Sequence, residues 1–239
     1  SVKFLPLLCY SVGMAKSQGA QTAKLITPAH EDYLKAIYTL SGGGEEVTNS
    51  ALAHHLGVAP ASATNMVKKL ADLGLVTYER YQNIALTPSG EKVALEVLRH
   101  HRLLELYLHD KLNVPWDQVH AEAERLEHVL SETLEDAMAA ALGNPTIDPH
   151  GDPIPSKDGH VQDVPGILLS GAELNRSYHI LRVLVQDPER LVYLGGLGLY
   201  PNAEVTVLGR APFNGPLLID VAGEHHALAY EMAEYLVVG

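Results

Sequence analysis

Side chains that bind metal ions well are concentrated in one segment of this chain. The segment contains His120, Glu124, Glu127 and His128. If it is helical, all four fall on a stripe about 100° wide, because an α-helix advances about 100° per residue. Such groups repel one another on an exposed face and pack poorly against apolar side chains. A bound divalent cation removes both problems, so the stripe predicts a metal site.

A second ligand pair precedes this stripe. His101 and Glu105 are at positions i and i+4, which share one face of a helix. Any one of these six side chains, taken alone, is best explained as part of a solvated helix surface. Six of them on the facing stripes of two adjacent helices favour a metal centre, provided that the helices pack antiparallel after the turn at residues 113–115. The same ligands would also suit a two-metal enzyme.

The elements that must position these ligands are two helices and the segments after them. Pro88 to Leu112 is predicted to be one long amphipathic helix, and Trp116 to Leu142 the next, with Pro115 between them. A segment rich in proline and glycine follows and predicts a domain boundary. From Gly166 onward, short apolar runs alternate with turn residues, which predicts a small β-barrel. The runs are Ile180 to Val185, Leu191 to Leu194, Val205 to Leu208 and Leu217 to Val221.

The first part of the chain predicts a winged helix–turn–helix. Ala29 to Leu40 has helical periodicity, and Thr48 and Asn49 can cap a short helix after it. Pro60 suits the first turn of a further helix that ends near Gly74. Two short strands are then expected, at Leu75 to Glu79 and at Ile84 to Leu86, and Thr87 and Pro88 open the long helix.

The helix that begins at Pro60 has two different faces. Its apolar face consists of Ala63, Met66, Val67, Leu70 and Leu73. The opposite face is small, polar and basic, so it can approach a major groove closely, read base edges and contact phosphate. The candidate DNA-binding residues are Ala61, Ser62, Thr64, Asn65 and Lys68, together with Arg80 and Tyr81 at the tip of the hairpin. The plainer alternative is a solvated face of a small helical bundle.

Composition constrains the class of protein. The chain has 239 residues, a formal net charge of −12 and one cysteine, Cys9. It can therefore form no internal disulfide and no cysteine-based zinc site, which suits a reducing cytoplasm. The charge is uneven: residues 58–82 are slightly basic and residues 117–140 strongly acidic. The apolar stretch before Met14 is too short to span a membrane, and we expect it not to belong to the natural chain.

On these residues the chain resembles the diphtheria toxin repressor family of iron- and manganese-dependent regulators. The resemblance extends from Thr27 to Gly239. Its most specific part is the order of five stretches along the chain. They are His30-Glu-Asp-Tyr-Leu-Lys-Ala-Ile-Tyr38, residues 58–75, His101-Arg-Leu-Leu-Glu105, residues 119–129 and His150-Gly-Asp-Pro-Ile-Pro155.

The resemblance implies two metal sites per subunit. The primary site is carried over to Asp32, Glu124, Glu127 and His128, and the ancillary site to His101, Glu105 and His120. Asp187 is a possible further ligand of the ancillary site, whereas its neighbour Arg190 cannot ligate. Manganese-type members have a glutamate where this chain has Lys35, so two separated sites are expected rather than a close binuclear cluster. Oxygen and imidazole ligands without sulfur suit Mn²⁺ or Fe²⁺.

The resemblance also implies the organisation of the chain. We expect a tail (1–26), a winged helix–turn–helix DNA-binding domain (27–87), a helical dimerisation and metal-binding domain (88–143), a linker (144–165) and an SH3-like, FeoA-type β-barrel (166–239). The fold class is thus mainly α with a small β domain.

The function implied is that of a cytoplasmic homodimer that represses metal-uptake genes. Bound metal would fix its recognition helices about 34 Å apart, one turn of B-DNA, on a palindromic double-stranded operator. Neither a membrane nor a small-molecule substrate is expected as a partner. One rival is a metallohydrolase that uses the same cluster, although no nucleophile motif or phosphate-binding loop is visible. Another is an iron-transport accessory module, which leaves the first half of the chain unexplained.

Overall fold

The computed structural model describes residues 26–42, 47–78 and 83–239. The predictions for the N-terminal tail, for the residues before Met14 and for Arg80 and Tyr81 therefore lie outside the described residues.

The N-terminal region is a winged helix–turn–helix, as predicted. It consists of α1 (Pro28–Ser41), α2 (Asn49–His55), α3 (Pro60–Asp72) and an antiparallel pair of strands, β1 (Val76–Tyr78) and β2 (Ile84–Leu86). Local signals set its boundaries: the Thr48 side chain accepts a hydrogen bond from the backbone N–H of Ala51, and Pro60 occupies the first turn of α3. After α3, Gly74 has a φ of 71°, which glycine adopts without strain.

The next helix, α4 (Pro88–Leu112), is joined tightly to this region. The side chain of Thr87 caps it, and Ala94 is part of the same buried core as Leu34, Val67 and Ile84. At Gly90, α4 lies so close to the backbone of Leu75 that a Cβ there would be 1.9 Å from the carbonyl oxygen of Leu75. The helix that carries His101 and Glu105 is thus anchored on the DNA-binding region.

The second predicted helix, from Trp116 to Leu142, is not continuous, and this prediction was wrong. The chain forms α5 (Val119–Leu126), a 3₁₀ turn at Glu127–Val129 and α6 (Glu132–Ala141). The break has a local cause, because Leu130 is extended and the Ser131 side chain caps α6 by accepting from the N–H of Leu134. The 3₁₀ turn carries two of the predicted ligands, Glu127 and His128.

The C-terminal region is the predicted SH3-like β domain. It consists of β3 (Ile167–Leu168), β4 (Ser177–Val183), α7 (Pro188–Gly196), β5 (Glu204–Arg210), β6 (Leu217–Val221), β7 (Glu224–Leu228), α8 (Tyr230–Ala233) and β8 (Leu236–Val238). The strands pair antiparallel in the order β3-β8-β4-β5-β6-β7. The run from Leu191 to Leu194, taken as part of the strand pattern, lies instead in α7, because Asp187 caps this helix and Pro188 begins it.

The segment between the helical and β regions lacks regular structure, as predicted, but its middle is buried. Asp148, His150 and Asp152 are all buried. Arg99 donates to the carbonyl oxygen of Pro155, and Trp116 Nε1 donates to that of Pro149. The segment is therefore fixed to the helices. Within the part of the chain that the structure describes, no helix is both long and apolar enough to cross a membrane.

Candidate metal centre

The first ligand cluster forms where α1 meets the 3₁₀ turn. Nε2 of His128 lies 2.8 Å from Oδ1 of Asp32 and 3.4 Å from Oε1 of Glu127. One ligand atom from each of these three residues lies within 4.8 Å of the other two. Burial raises the pKa of Asp32. The structure thus brings an aspartate of the DNA-binding region to two ligands of the helical region.

Glu31 also belongs to this cluster, and the sequence analysis missed it. Its Oε2 lies 2.6 Å from Nδ1 of His128. Because an ionised carboxylate can only accept, Nδ1 carries the proton of this hydrogen bond. Nε2 is then the nitrogen left to bind a metal, an arrangement in which a carboxylate orients a ligating histidine. The position of Glu31 directly before Asp32 was the only signal for this role.

Lys35 lies inside the first cluster, one turn of α1 after Asp32. Its Nζ is 2.7 Å from Oε1 of Glu124 and 2.6 Å from Oε1 of Glu127. Burial alone would lower the pKa of Lys35, but Glu127 and Glu124 outweigh it, and the pKa is raised. The ammonium group is therefore charged. The ligand atoms of Glu124 are grouped with those of His101 and Glu127, and not, as predicted, with those of Asp32 and His128.

The second cluster lies between α4 and α5. Nε2 of His101 is 2.9 Å from Oε1 of Glu105 and 3.0 Å from Nδ1 of His120, which is itself 3.0 Å from the same carboxylate oxygen. Burial alone would lower the pKa of His101, but Glu105 and Glu127 raise it to about 9. Burial alone would raise the pKa of Glu105, but His101 and its neighbours hold it well below its usual range. The three predicted ancillary ligands are thus brought together.

One carboxylate contacts both clusters. Glu127 is completely buried. Its Oε1 faces Lys35 and His128, and its Oε2 lies 2.5 Å from Nδ1 of His101. The sites predicted as separate are therefore directly connected.

Two residues of the connecting segment complete the surroundings of Glu105 and were not predicted as ligands. Glu105, Asp148 and His150 offer ligand atoms that lie within 4.8 Å of one another, and all three residues are buried. Nε2 of His150 is 3.2 Å from the carbonyl oxygen of Trp116. Its Nδ1 is 3.8 Å from Oε2 of Glu105 and has no hydrogen-bond partner among the described residues. Burial, with Glu105 and Asp152 nearby, raises the pKa of Asp148.

Asp187 is not brought to either cluster. Its side chain accepts a hydrogen bond from the backbone N–H of Arg190 and caps α7. Arg190 in turn donates to the hydroxyl of Tyr235 at 2.6 Å and pairs with Glu231 at 3.0 Å. Of the described residues that are grouped closely enough to hold a metal, none is Asp187.

The candidate DNA-binding face of α3 is open to solvent. Ala61, Ser62, Asn65 and Lys68 are exposed. Thr64 is half-buried, and its hydroxyl donates to the carbonyl oxygen of Pro60 at 2.9 Å. A nucleic acid could therefore use this hydroxyl only as an acceptor. The apolar face that contains Ala63, Val67 and Leu70 is buried.

Comparison with known proteins covers nearly the whole described chain. Residues 25–84 match the family of the iron dependent repressor, N-terminal DNA binding domain, and residues 87–156 match the iron dependent repressor, metal binding and dimerisation domain. Residues 167–239 match the FeoA domain. The iron-dependent repressor IdeR of Mycobacterium tuberculosis (strain ATCC 25618 / H37Rv) is 33% identical over 220 residues, which cover 87% of this chain and 95% of that protein.

Solved structures give the same picture. A manganese-dependent transcriptional repressor in complex with manganese superimposes with a TM-score of 0.82 at 36% identity, covering 87% of this chain and 98% of that one. ScaR with bound Cd²⁺ gives a TM-score of 0.75 at 32% identity, covering 88% and 98%. The metallohydrolase alternative has no support in these matches.

Proposed function

This chain belongs to the iron-dependent repressor family and is a metal-responsive DNA-binding regulator, and we propose that two Mn²⁺ or Fe²⁺ ions per subunit control its affinity for an operator. The resemblance seen in the sequence is thereby confirmed at the level of the family. The proposal concerns the ligands, the number of ions, the dimer and the operator.

The contact between Asp32 and His128 carries the proposal. Asp32 belongs to α1 of the DNA-binding region, whereas Glu127 and His128 follow α5 of the helical region, and their ligand atoms converge. These three residues, with Glu124, would hold the first ion. The double positive charge of this ion would attract the carboxylates of both regions and so link the regions.

The second ion would be held by His101, Glu105 and His120, whose ligand atoms also converge. The buried Nδ1 of His150, which has no hydrogen-bond partner among the described residues, supports His150 as a further ligand in place of Asp187. Every ligand in both sets is an oxygen or an imidazole nitrogen. Without a thiolate or thioether, such sets fit Mn²⁺ or Fe²⁺.

Control of DNA binding would follow from the position of α1. In the metal-bound protein the DNA-binding region, together with α4, would be held in one orientation against α5 and the 3₁₀ turn. Two subunits would then present their α3 helices about 34 Å apart, to successive major grooves of a palindromic operator. A preference of a few kcal/mol for this orientation is enough to change its population from minor to dominant.

The second subunit is proposed from an exposed apolar face. Leu126, Val129 and Leu134 are 39%, 76% and 52% exposed and lie together in sequence around the break between α5 and α6. Exposed large apolar side chains often mark protein–protein interfaces. Because these three lie in the region that matches a metal binding and dimerisation domain, they support a homodimer. We expect this dimer to act in the cytoplasm as a repressor of metal-uptake genes.

A mobility-shift assay on the DNA upstream of the protein's own gene tests the proposal. We expect a shift with Mn²⁺ that EDTA abolishes, a strong loss in Asp32→Ala, and a loss in His101→Ala that higher Mn²⁺ partly restores. Asp117→Ala, at a carboxylate outside both proposed ligand sets, is the matched control. A shift that is the same with and without divalent ions would overturn metal control.

A further inference from the structure

A further set of metal-ligating side chains lies between α4 and the start of α6. Glu96 and His100 are one turn apart on α4, and Glu132 is the first residue of α6. One ligand atom from each of these three residues lies within 4.8 Å of the other two. We call them the α4–α6 cluster. None of the three belongs to the ligand sets proposed above, so the cluster is a separate candidate site.

The ring of His100 is fixed with one nitrogen directed into the cluster. His100 is buried. Its Nδ1 lies 3.2 Å from the backbone carbonyl oxygen of Glu127. Because a carbonyl oxygen can only accept, Nδ1 carries the proton of this hydrogen bond, which leaves Nε2 facing the carboxylates. A histidine that donates from one nitrogen to a backbone carbonyl and offers the other nitrogen is typical of metal ligands.

The carboxylates near Nε2 outnumber the basic side chains that pair with them. Glu135, whose Oε2 is 3.3 Å from Nε2 of His100, is paired with Arg99 at 2.5 Å. Glu132 lies 3.6 Å from the ammonium of Lys157, which also contacts another carboxylate of α6. Glu96 has no ion-pair partner among the described residues. The charge left over beside the imidazole is negative, which suits a cation.

We propose that the α4–α6 cluster is a third metal site, for a divalent transition-metal ion held by Nε2 of His100 and by carboxylate oxygens of Glu96 and Glu132. Imidazole together with carboxylates suits ions of this class. Glu96 and Glu132 line an open cleft, so water can reach the ion and complete its coordination. Because both carboxylates are exposed, we expect this site to fill at higher metal concentration than the other two. The ion would join α4 to the start of α6, directly after the 3₁₀ turn.

Two ordinary interactions form the competing explanation. His100 can pair with Glu135, and a carboxylate in the first turn of a helix, such as that of Glu132, is favoured by the helix dipole. Neither interaction needs a metal ion. The two explanations therefore differ in the number of ions bound and in whether His100 is one of the ligands.

Equilibrium dialysis of the full chain against rising concentrations of Mn²⁺ counts the ions. We expect three ions per subunit in the wild type at saturation. Glu96→Gln and Glu132→Gln alter exposed side chains that the fold should tolerate, and each should lose the third ion and keep the first two. Asp136→Asn is the matched control, because it alters an exposed carboxylate of α6 that contacts Lys157 but lies outside the cluster. This variant should still bind three ions.

A second measurement identifies the imidazole. Asp32→Ala/Glu105→Ala removes one ligand from each of the two proposed sites and should still bind the third ion. The electron spin-echo envelope of this bound Mn²⁺ should show modulation from an imidazole nitrogen. Adding His100→Gln should abolish the modulation. If the modulation persists, the ion is held elsewhere and this inference is wrong.

The outcomes separate this inference from the proposed function. If the wild type binds no more than two ions, or if Glu96→Gln and Glu132→Gln bind as many ions as the wild type, the α4–α6 cluster is not a metal site, and the proposed function stands. If the third ion binds through His100 but operator binding does not respond to divalent ions, the proposed function fails and this inference stands.

Discussion

Oε2 of Glu127 lies 2.5 Å from Nδ1 of His101, so a ligand of the first proposed site holds a ligand of the second in place. The carboxylate accepts a hydrogen bond from the Nδ1–H of His101, which leaves Nε2 facing Glu105 and His120. A histidine whose other nitrogen is held by a carboxylate is a more basic and better oriented ligand. We therefore expect occupation of one proposed site to affect the other, and by linkage the effect would be reciprocal.

Glu127→Gln should weaken both sites at once. The first site loses a carboxylate ligand, and the second loses the partner that orients His101, an effect on the order of 10–100-fold in affinity. Isothermal titration calorimetry with Mn²⁺ measures the affinities of both sites. Glu122→Gln is the matched control, since Glu122 pairs with the exposed Arg125 and lies outside both proposed ligand sets. A variant whose second site keeps its wild-type affinity would show that the contact between Glu127 and His101 does not couple the sites.

Glu31→Gln should weaken the first site alone. The amide can still contact Nδ1 of His128 but no longer provides the charged acceptor now at 2.6 Å. We expect an affinity loss of about 10-fold or more at the first site and no change at the second. Titration of the variant beside Glu91→Gln, which alters an exposed glutamate of α4, checks this. Equal losses at both sites would count against a role for Glu31 in orienting His128.

The pKa of His101 predicts how the stability of the metal-free protein depends on pH. The folded protein holds this pKa at about 9, above the ordinary value of 6.5. A raised pKa stabilises the folded state fully below the unfolded value, and this contribution disappears as pH rises to the folded value. The free energy of unfolding should therefore fall between pH 6.5 and 9, by on the order of 3 kcal/mol at most.

Urea unfolding in EDTA at several pH values measures this trend. His101→Gln removes the titrating group and should flatten the curve in that window. His109→Gln, at an exposed histidine of the same helix, should leave it unchanged. If the wild type and His101→Gln show the same slope, the buried pair of His101 and Glu105 does not contribute in this way.

Much of the fold was predictable because its signals are local. Thr48, Pro60 and Thr87 set helix starts through their own side chains or ring, and these three starts were predicted correctly. The two errors also had local signals that periodicity obscured. Ser131 caps α6 in the middle of an apparently continuous helix, and Asp187 and Pro188 begin a helix whose apolar run is too short to tell from a strand.

Spacing along the chain predicted ligands of the site only where they share a helix, whereas the grouping of Asp32 with Glu127 and His128 came from the family resemblance. His101 and Glu105 follow from their spacing along α4, because that spacing fixes their common face. The contact of Glu31 with His128 and the approach of His150 to Glu105 join residues that are distant in sequence. Spacing along the chain carries no information on such contacts, since they depend on how helices and the connecting segment pack.

Gly90→Ala should destabilise the junction between the DNA-binding region and α4. The added Cβ would lie 1.9 Å from the carbonyl oxygen of Leu75, so the backbone must move. Overpacking of this kind costs about 1–3 kcal/mol or more. Gly196→Ala is the control, because a Cβ there meets nothing within 4 Å. Thermal unfolding of both variants measures the loss of stability. Equal melting temperatures would mean that the backbone at the junction accommodates the added methyl group without cost.

The exposed face of α3 predicts two different effects on operator binding. Lys68→Ala should weaken binding about equally on all sequences and lower the slope of the salt dependence by about one ion, because we expect a lysine on this face to contact phosphate. Asn65→Ala should cost about 1–3 kcal/mol at one base pair, because an amide can read a base edge in a bidentate way. Fluorescence anisotropy at several salt concentrations, with operator variants, separates these effects. Lys92→Ala, on α4, should change neither quantity. Wild-type binding by both α3 variants would mean that another surface of the protein reads the DNA.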